Sequence, residues 1–229
     1  MDVGPVAAIL AILFDLDGTL VDSERESAEA MARVLGREGL TVTQAHRDFV
    51  VGHSWNEIYS LLAKDFGAAL ALSLPEVIAR SAAERVHVIA EMGMTIMPGA
   101  VDCVRRLGAR WPKAIVTGSS RAEAQQSIAA LGLGHEFPVV LAAEDYAHGK
   151  PSPEGYLGAA RRLGVPPDRC VVLEDSAAGI AAGRAAGMTV IAVRAGNFAG
   201  HDQSAAHLVV DTLDDVTVAL VEALARRAA

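Results

Sequence analysis

Short apolar runs recur along the chain, and no charged side chain interrupts any of them. Hydrophobic positions within each run are continuous rather than alternating, which is typical of strands buried on both faces, as in a parallel sheet. The runs cover residues 9–14, 114–116, 139–142, 170–173, 189–193 and 208–210.

Stretches with apolar residues at helical spacing lie between these runs. Strands that alternate with helices of this length predict βαβ units and an α/β fold with a doubly wound parallel sheet. The predicted helices cover residues 99–109, 122–131, 154–163, 177–186 and 213–226.

The alternation breaks between about Glu24 and Gly93, where helical patterns follow one another without a convincing strand. We interpret this segment as a small all-helical cap, residues 23–94, inserted into a core formed by residues 1–22 and 95–229. The connections at 21–23 and 93–97 are then expected to act as hinges. The predicted cap helices cover residues 26–38, 55–66 and 75–92.

Composition and charge narrow the class of protein. Hydrophobic residues make up 52% of the 229 residues and aromatic residues only 4%, which suits a packed α/β protein with small side chains. The formal net charge of −8 argues against nucleic-acid binding, which needs a basic face. A bound metal and a few cations can still attract an anionic substrate locally.

The cellular setting is predicted from the first residues and the cysteines. Residues 1–13 are apolar but carry no basic residue before the apolar stretch, so we interpret them as leading into the first strand rather than as a signal or membrane segment. Cys103 and Cys170 resemble neither a disulfide framework nor a metal-binding pair. We therefore expect a cytoplasmic protein without membrane association.

The strongest chemical signal is the segment FDLDGT, residues 14–19, directly after a predicted buried strand. Ligands of open α/β sheets bind beyond the carboxyl ends of the strands, where Asp15 and Asp17 would lie. One carboxylate can attack phosphorus while the other donates and accepts protons. An ordinary Asp-Gly turn is the alternative, with Gly18 making the bend and Thr19 steadying it.

Two further segments add hydroxyl and ammonium groups. Thr117, Gly118 and Ser119 follow the next core strand and precede a helix, where hydroxyl and backbone N–H groups can bind phosphate oxygens. Ordinary helix capping explains them equally well. Lys150 lies between Gly and Pro before a helix and can balance charge on a nucleophilic carboxylate, although a solvated loop lysine would have the same sequence.

Glu174 and Asp175 end the fourth core strand. Mg²⁺ prefers oxygen ligands, usually one or two carboxylates with water and substrate oxygen. Asp175, with or without Glu174, can complete a site begun by Asp15 and the backbone carbonyl of Asp17. Asp175 can also cap the helix that follows, and the two roles are compatible.

Together, an aspartate pair, a Thr/Ser turn, a lysine and an acidic pair, each at or just beyond a strand's carboxyl end, resemble the haloacid dehalogenase superfamily. The resemblance covers nearly the whole chain and is closest to members with a helical cap after the first core strand, such as phosphoglycolate phosphatase, sugar phosphatases and β-phosphoglucomutase. It implies a Rossmann-like core. It further implies a nucleophile at Asp15, a general acid/base at Asp17, a phosphate contact at Thr117 and a charge-balancing Lys150.

The same resemblance implies Mg²⁺ as the cofactor, held by Asp15, Asp17, Glu174 and Asp175. The expected activity is hydrolysis of a small phosphate monoester through a phospho-aspartyl intermediate. The substrate is therefore expected to be a small phosphorylated metabolite. Asp17 excludes the dehalogenase branch itself, which lacks the second aspartate. The groups expected to contact the substrate's phosphate further include those of Gly18, Thr19, Gly118 and Ser119.

Substrate selection is expected from the cap segment that contains His53, Ser54 and Trp55, although Trp55 alternatively packs the cap helix. A β-phosphoglucomutase-like phosphomutase stays open as a second function. Such mutases usually carry an arginine where this chain has Trp55 and a histidine where it has Ser27. A third alternative is a non-catalytic relative that binds a phosphorylated ligand or a protein. The sequence indicates no oligomeric state and leaves open whether His201 and Asp202 reach the site.

Overall fold

A computed structural model of the chain describes residues 8–51, 53, 55–198 and 200–225. It divides into two compact units. The cap unit is Asp22–Thr95, and the core unit comprises the described residues on either side of that segment. Among the described residues, no helix is both long and apolar enough to span a bilayer.

Short strands occur in the described part of the chain where the apolar runs predict them. They are β1 (Ala11–Phe14), β2 (Val21–Asp22), β3 (Thr95–Ile96), β4 (Lys113–Val116), β5 (Val139–Leu141), β6 (Cys170–Glu174), β7 (Thr189–Val193) and β8 (Leu208–Val210). The two-residue strands β2 and β3 are additions, and the boundaries between the two units fall within them.

The core unit is built on one parallel sheet with the strand order β5-β4-β1-β6-β7-β8. In the register of the central strand, Leu13 of β1 lies opposite Ala114 of β4 and Val172 of β6. The predicted doubly wound parallel sheet is confirmed. Because the chain leaves β1 toward one edge and later toward the other, the carboxyl end of β1 lies at the switch point where such sheets bind ligands.

Helices connect the strands and form the cap. They are α1 (Glu24–Arg37), α2 (Gln44–Val50), α3 (Trp55–Phe66), α4 (Leu74–Met92), α5 (Ala100–Gly108), α6 (Arg121–Ala130), α7 (Glu154–Leu163), α8 (Ala177–Ala185) and α9 (Val218–Ala225).

Small side chains let α7 and α8 approach the sheet closely. Ala159 and Ala160 of α7 are buried in the same hydrophobic cluster as Val172 and Val190 of the sheet. In α8, a Cβ atom at Gly183 would lie only 2.8 Å from Cγ2 of Val190. The abundance of Ala and Gly in the composition therefore corresponds to close helix–sheet packing.

The last predicted helix, 213–226, is divided in two. A 3₁₀ turn covers Leu213–Asp215, and α9 begins at Val218. The Asp215 carboxylate accepts a hydrogen bond from the N–H of Thr212 at 2.9 Å, and the Thr217 hydroxyl accepts one from the N–H of Leu220 at 3.1 Å. Polar side chains thus bond locally to the backbone and interrupt a continuous helix.

The cap unit consists of α1 to α4 around its own hydrophobic cluster, which includes the fully buried Met31, Leu35 and Val77. The helix α2 has no counterpart in the prediction, because its seven residues are too few to show a clear helical period. A reciprocal cap stabilises its start: the Thr43 hydroxyl accepts from the His46 N–H, and His46 Nδ1 accepts from the Thr43 N–H. His46 Nε2 also lies 3.1 Å from the Asp65 carboxylate in α3.

Candidate active site

Three carboxylates meet at the carboxyl ends of β1 and β6. Ligand atoms of Asp15, Glu174 and Asp175 all lie within 4.8 Å of one another. These residues are 6%, 0% and 8% exposed, so the charges are almost completely removed from water. Because β1 and β6 are adjacent parallel strands, the residues that follow them emerge at the same edge of the sheet. The cluster offers hard oxygen ligands of the kind that a divalent cation prefers.

Lys150 brings one cation to this cluster. Its Nζ donates to Oδ1 of Asp15 and to Oε1 of Glu174. Burial opposes the charged form of the lysine, but the two carboxylates outweigh that effect and raise the pKa of Lys150 well above its usual value. Lys150 is therefore a fixed positive charge beside Asp15 and not a solvated loop lysine.

The carboxylate of Glu174 is fully enclosed by donors. Oε1 accepts from Lys150 and, at 3.0 Å, from the Tyr156 hydroxyl. Oε2 accepts from the backbone N–H groups of Asp175 and Ser176 and from the Ser176 hydroxyl, each at 3.0 Å. Such a carboxylate anchors Lys150 and fixes the loop after β6.

Tyr156 was not predicted as part of the site. It lies in α7 within an apolar helical pattern, is fully buried, and its ring is 5.3 Å from Lys150 Nζ. From sequence it is indistinguishable from an ordinary core aromatic residue, because only the fold brings its hydroxyl to Glu174.

Asp15 and Asp175 have raised pKa values for a shared reason. Burial is the main cause for Asp15, and the charges of Glu174 and Asp17 add to it while Lys150 opposes it. Burial is also the main cause for Asp175, with the charges of Asp15 and Glu174 adding to it and the hydrogen bond from Thr19 opposing it. A divalent cation bound among these groups would favour their ionised forms.

Asp17 faces a different set of partners. Its Oδ2 accepts a hydrogen bond from the Thr117 hydroxyl at 2.8 Å and another from the Ser119 hydroxyl at 2.6 Å. The Thr117 hydroxyl in turn accepts from the N–H of Ser119 at 3.0 Å. The predicted Thr/Ser turn after β4 thus lies beside the second aspartate. The Asp17 side chain is not part of the close carboxylate cluster, so only its backbone carbonyl keeps the metal role considered from the sequence.

The turn after Asp17 supports Asp175. Thr19 is fully buried, and its hydroxyl donates to Oδ1 of Asp175 at 3.0 Å, so this hydroxyl orients a carboxylate. Gly18 has φ 86°, and a Cβ atom there would lie 2.4 Å from Oδ2 of Asp175. A side chain at Gly18 would therefore strain the backbone and displace a carboxylate.

The other predicted contact residues are less constrained. Gly118 is exposed, and a Cβ atom there would meet no atom within 4 Å. In the cap unit, His53 is exposed and stacks on Phe49 with ring centroids 3.9 Å apart. Trp55 is partly buried against the cap's own hydrophobic cluster, as the packing alternative expects. Ser54 lies outside the described residues.

Gly179 of α8 has no room for a side chain, which gives a stability test of the Glu174 environment. A Cβ atom at Gly179 would lie 1.6 Å from Oε1 of Glu174, so Gly179→Ala must displace that carboxylate. We expect the free energy of unfolding to fall by about 1–3 kcal/mol, the usual cost of overpacking, in urea denaturation followed by circular dichroism.

A matched control for this substitution is Gly36→Ala in α1, where an added Cβ meets no atom within 4 Å. That variant is expected to be neutral or more stable by up to about 1 kcal/mol, because alanine favours helix over glycine. Equal stability of the two variants would contradict the tight placement of Glu174.

A family model supports the relationship that the motifs suggest. The model described as haloacid dehalogenase-like hydrolase matches residues 9–187. This match spans β1 through α8 and therefore includes every core-unit residue of the candidate site described above.

Two curated relatives and one solved structure are similar over most of their lengths. Fructose-1-phosphate phosphatase YqaB of Escherichia coli is 37% identical over 80% of this chain and 95% of its own length. Hexitol phosphatase A of Escherichia coli is 36% identical over 80% of this chain and 82% of its own length. A CbbY variant of Rhodobacter sphaeroides, solved with xylulose-(1,5)bisphosphate, superposes with a TM-score of 0.79 at 26% identity, covering 93% and 99% of the two chains.

Proposed function

Because the chain belongs to the haloacid dehalogenase-like hydrolases, we propose that it is a phosphatase for a small sugar or polyol phosphate, with Asp15 as its nucleophile. The observation that carries this proposal is the environment of Asp15. Its carboxylate lies within 4.8 Å of two further carboxylates and is paired with a lysine whose side chain is only 15% exposed. The names of the two Escherichia coli relatives support a sugar or polyol ester as the substrate class.

The first step is transfer of the phosphoryl group to Asp15. Lys150 contacts Oδ1 of Asp15, and we assign Oδ2 as the atom that attacks phosphorus. A bond forms between this oxygen and phosphorus while the bond from phosphorus to the ester oxygen breaks. The charge that accumulates on the transferring group lies near the Lys150 ammonium, which stabilises it in a site removed from water.

Asp17 is the proposed proton donor and acceptor. The hydroxyls of Thr117 and Ser119 both donate to Oδ2 of Asp17, so a proton on this carboxyl group belongs on Oδ1. Asp17 gives that proton to the departing alkoxide. It then takes a proton from a water molecule that attacks phosphorus and breaks the aspartyl–phosphate bond, which releases phosphate and restores Asp15.

The carboxylate cluster fits a magnesium ion. Asp15 and Asp175 supply hard oxygen ligands, the backbone carbonyl of Asp17 is a further candidate, and Glu174 adds negative charge while it anchors Lys150. A bound Mg²⁺ supplies a positive charge that polarises phosphoryl oxygens and favours the ionised nucleophile. We keep His53, Ser54 and Trp55 of the cap as predicted determinants of substrate choice.

Asp17→Asn is expected to lower kcat by about 10²–10⁴-fold, the usual contribution of a general acid/base. The amide still accepts hydrogen bonds from Thr117 and Ser119 but cannot deliver a proton. The measurement is steady-state phosphate release. A second variant, Asp214→Asn, changes an aspartate outside the site and should leave kcat unchanged. Normal turnover by Asp17→Asn would remove the proposed role.

The substrate class is tested by phosphate release from a panel of esters with Mg²⁺ present. The panel contains fructose 1-phosphate, hexitol phosphates, phosphoglycolate, a nucleoside monophosphate and p-nitrophenyl phosphate. We expect the highest kcat/KM among the sugar and polyol esters. Turnover of every ester no faster than that of an Asp15→Asn control would overturn the proposal and favour a non-catalytic binding protein.

A further inference from the structure

The loop after β7 is closed by its own hydrogen bonds. The side chain of Asn197 donates to the carbonyl of His201 and accepts from the His201 N–H, both at 2.7 Å. Asp202 accepts from the backbone N–H and the hydroxyl of Ser204 at 2.8 and 2.9 Å. His201, Asp202 and Ser204 are exposed, whereas Gln203 is only 7% exposed. Within residues 201–204, Gln203 is therefore the residue that faces the interior of the core unit.

Gln203 uses its amide group to join two strand ends. Nε2 donates to the backbone carbonyl of Asp175 at 2.7 Å and to that of Val193 at 3.1 Å. A glutamine amide has two N–H donors, and both are used here. A buried carbonyl without a partner costs free energy, and this side chain gives the Asp175 carbonyl, in the loop after β6, a hydrogen-bond donor.

The same loop also contacts the segment that carries the two catalytic-site aspartates. A Cβ atom at Gly196 would lie 1.6 Å from the backbone oxygen of Gly18. The loop after β7 thus packs against the turn that follows Asp17, while Gln203 bonds to the backbone of Asp175. The loop after β7 therefore contacts both the segment that carries Asp15 and Asp17 and the segment that carries Asp175.

We propose that Gln203 is a positioning residue for the metal site: it fixes the main chain at Asp175 and thereby aims that carboxylate at Asp15. The inference rests on the proposed function, because it takes Asp175 as a ligand of the cation. Two separate contacts share the task. Thr19 holds the Asp175 carboxylate itself, and Gln203 holds the peptide group from which it extends.

The test variant is Gln203→Met, which has nearly the same shape and lacks both donors. Mg²⁺ binding to the whole 229-residue chain is measured by isothermal titration calorimetry, and kcat and KM are measured in saturating Mg²⁺. We expect the Kd for Mg²⁺ to rise about 10–100-fold, the usual effect of removing a group that orients a metal ligand. KM for the ester should change much less than the Kd. Gln203→Asn, whose shorter side chain cannot span both carbonyls, should also weaken binding.

The control is Val221→Ala, which removes buried side-chain volume in α9 of the core unit. It should lower the melting temperature and leave the Kd for Mg²⁺ unchanged. If Gln203→Met and Gln203→Asn bind Mg²⁺ within twofold of the unaltered protein and only the melting temperature falls, Gln203 has a merely structural role and the inference is wrong. If the unaltered protein itself binds no Mg²⁺, the metal in the proposed function is wrong, and the inference is overturned with it.

Discussion

Asp15→Asn is expected to lower kcat by about 10⁴-fold or more, as the loss of a catalytic nucleophile does in other hydrolases. The amide has almost the shape of the carboxylate but lacks the charge that attacks phosphorus. Glu174 stays as the partner of Lys150, so the variant should remain folded. Phosphate release under saturating ester measures the loss, and single-turnover quenching should detect no phosphorylated protein.

A control for charge removal is Asp168→Asn, which neutralises an exposed aspartate just before β6, at the end of the sheet away from the site. This variant should have unaltered kcat and KM. Phosphate release by Asp15→Asn at more than about a tenth of the normal rate would show that another group attacks phosphorus, since loss of the attacking atom costs far more than tenfold.

Removal of divalent cations is expected to abolish turnover. Asp15, Glu174 and Asp175 are buried close together, and burial and mutual repulsion raise the pKa values of Asp15 and Asp175. Of the described groups that hydrogen-bond to Asp15 and Glu174, Lys150 alone carries a positive charge. Excess EDTA should therefore stop phosphate release, and excess Mg²⁺ should restore it.

Two measurements make this second result decisive. EDTA that has been saturated beforehand with Mg²⁺ should leave the rate unchanged, which separates chelation from other effects of the reagent. Mg²⁺ at 100 times its Kd should raise the free energy of unfolding by about 2.7 kcal/mol, because it binds the folded state. Full activity in unsaturated EDTA would remove the metal from the proposed mechanism.

The strands and the sheet could be predicted because burial on both faces leaves a local signal. No charged side chain interrupts residues 170–173 or 189–193, and both segments lie in buried strands of the parallel sheet. The helix α2 left no such signal. Its start depends on a reciprocal bond between Thr43 and His46 and on a contact from His46 to Asp65, which is distant in the chain.

The residues of the candidate site likewise include some that the sequence predicts and some that it does not. Asp15, Asp17, Lys150 and Asp175 could be proposed from sequence because each polar residue directly follows an apolar strand or stands in a loop marked by Gly and Pro. Tyr156 and Gln203 could not. Tyr156 is part of an apolar helical pattern, and Gln203 is part of a polar loop. A tyrosine or a glutamine in such surroundings does not by itself indicate a functional site.

The order of apolar runs along the chain by itself determined a parallel sheet whose carboxyl ends carry acidic residues, because strand burial and strand ends are local properties of a sequence. Tertiary structure alone decided how the polar groups share hydrogen bonds. In the folded core, the Thr19 hydroxyl donates to Asp175, the hydroxyls of Thr117 and Ser119 donate to Asp17, and the Tyr156 hydroxyl donates to Glu174. These pairings join residues far apart in the chain, so their geometry exists only once the strands have taken their order in the sheet.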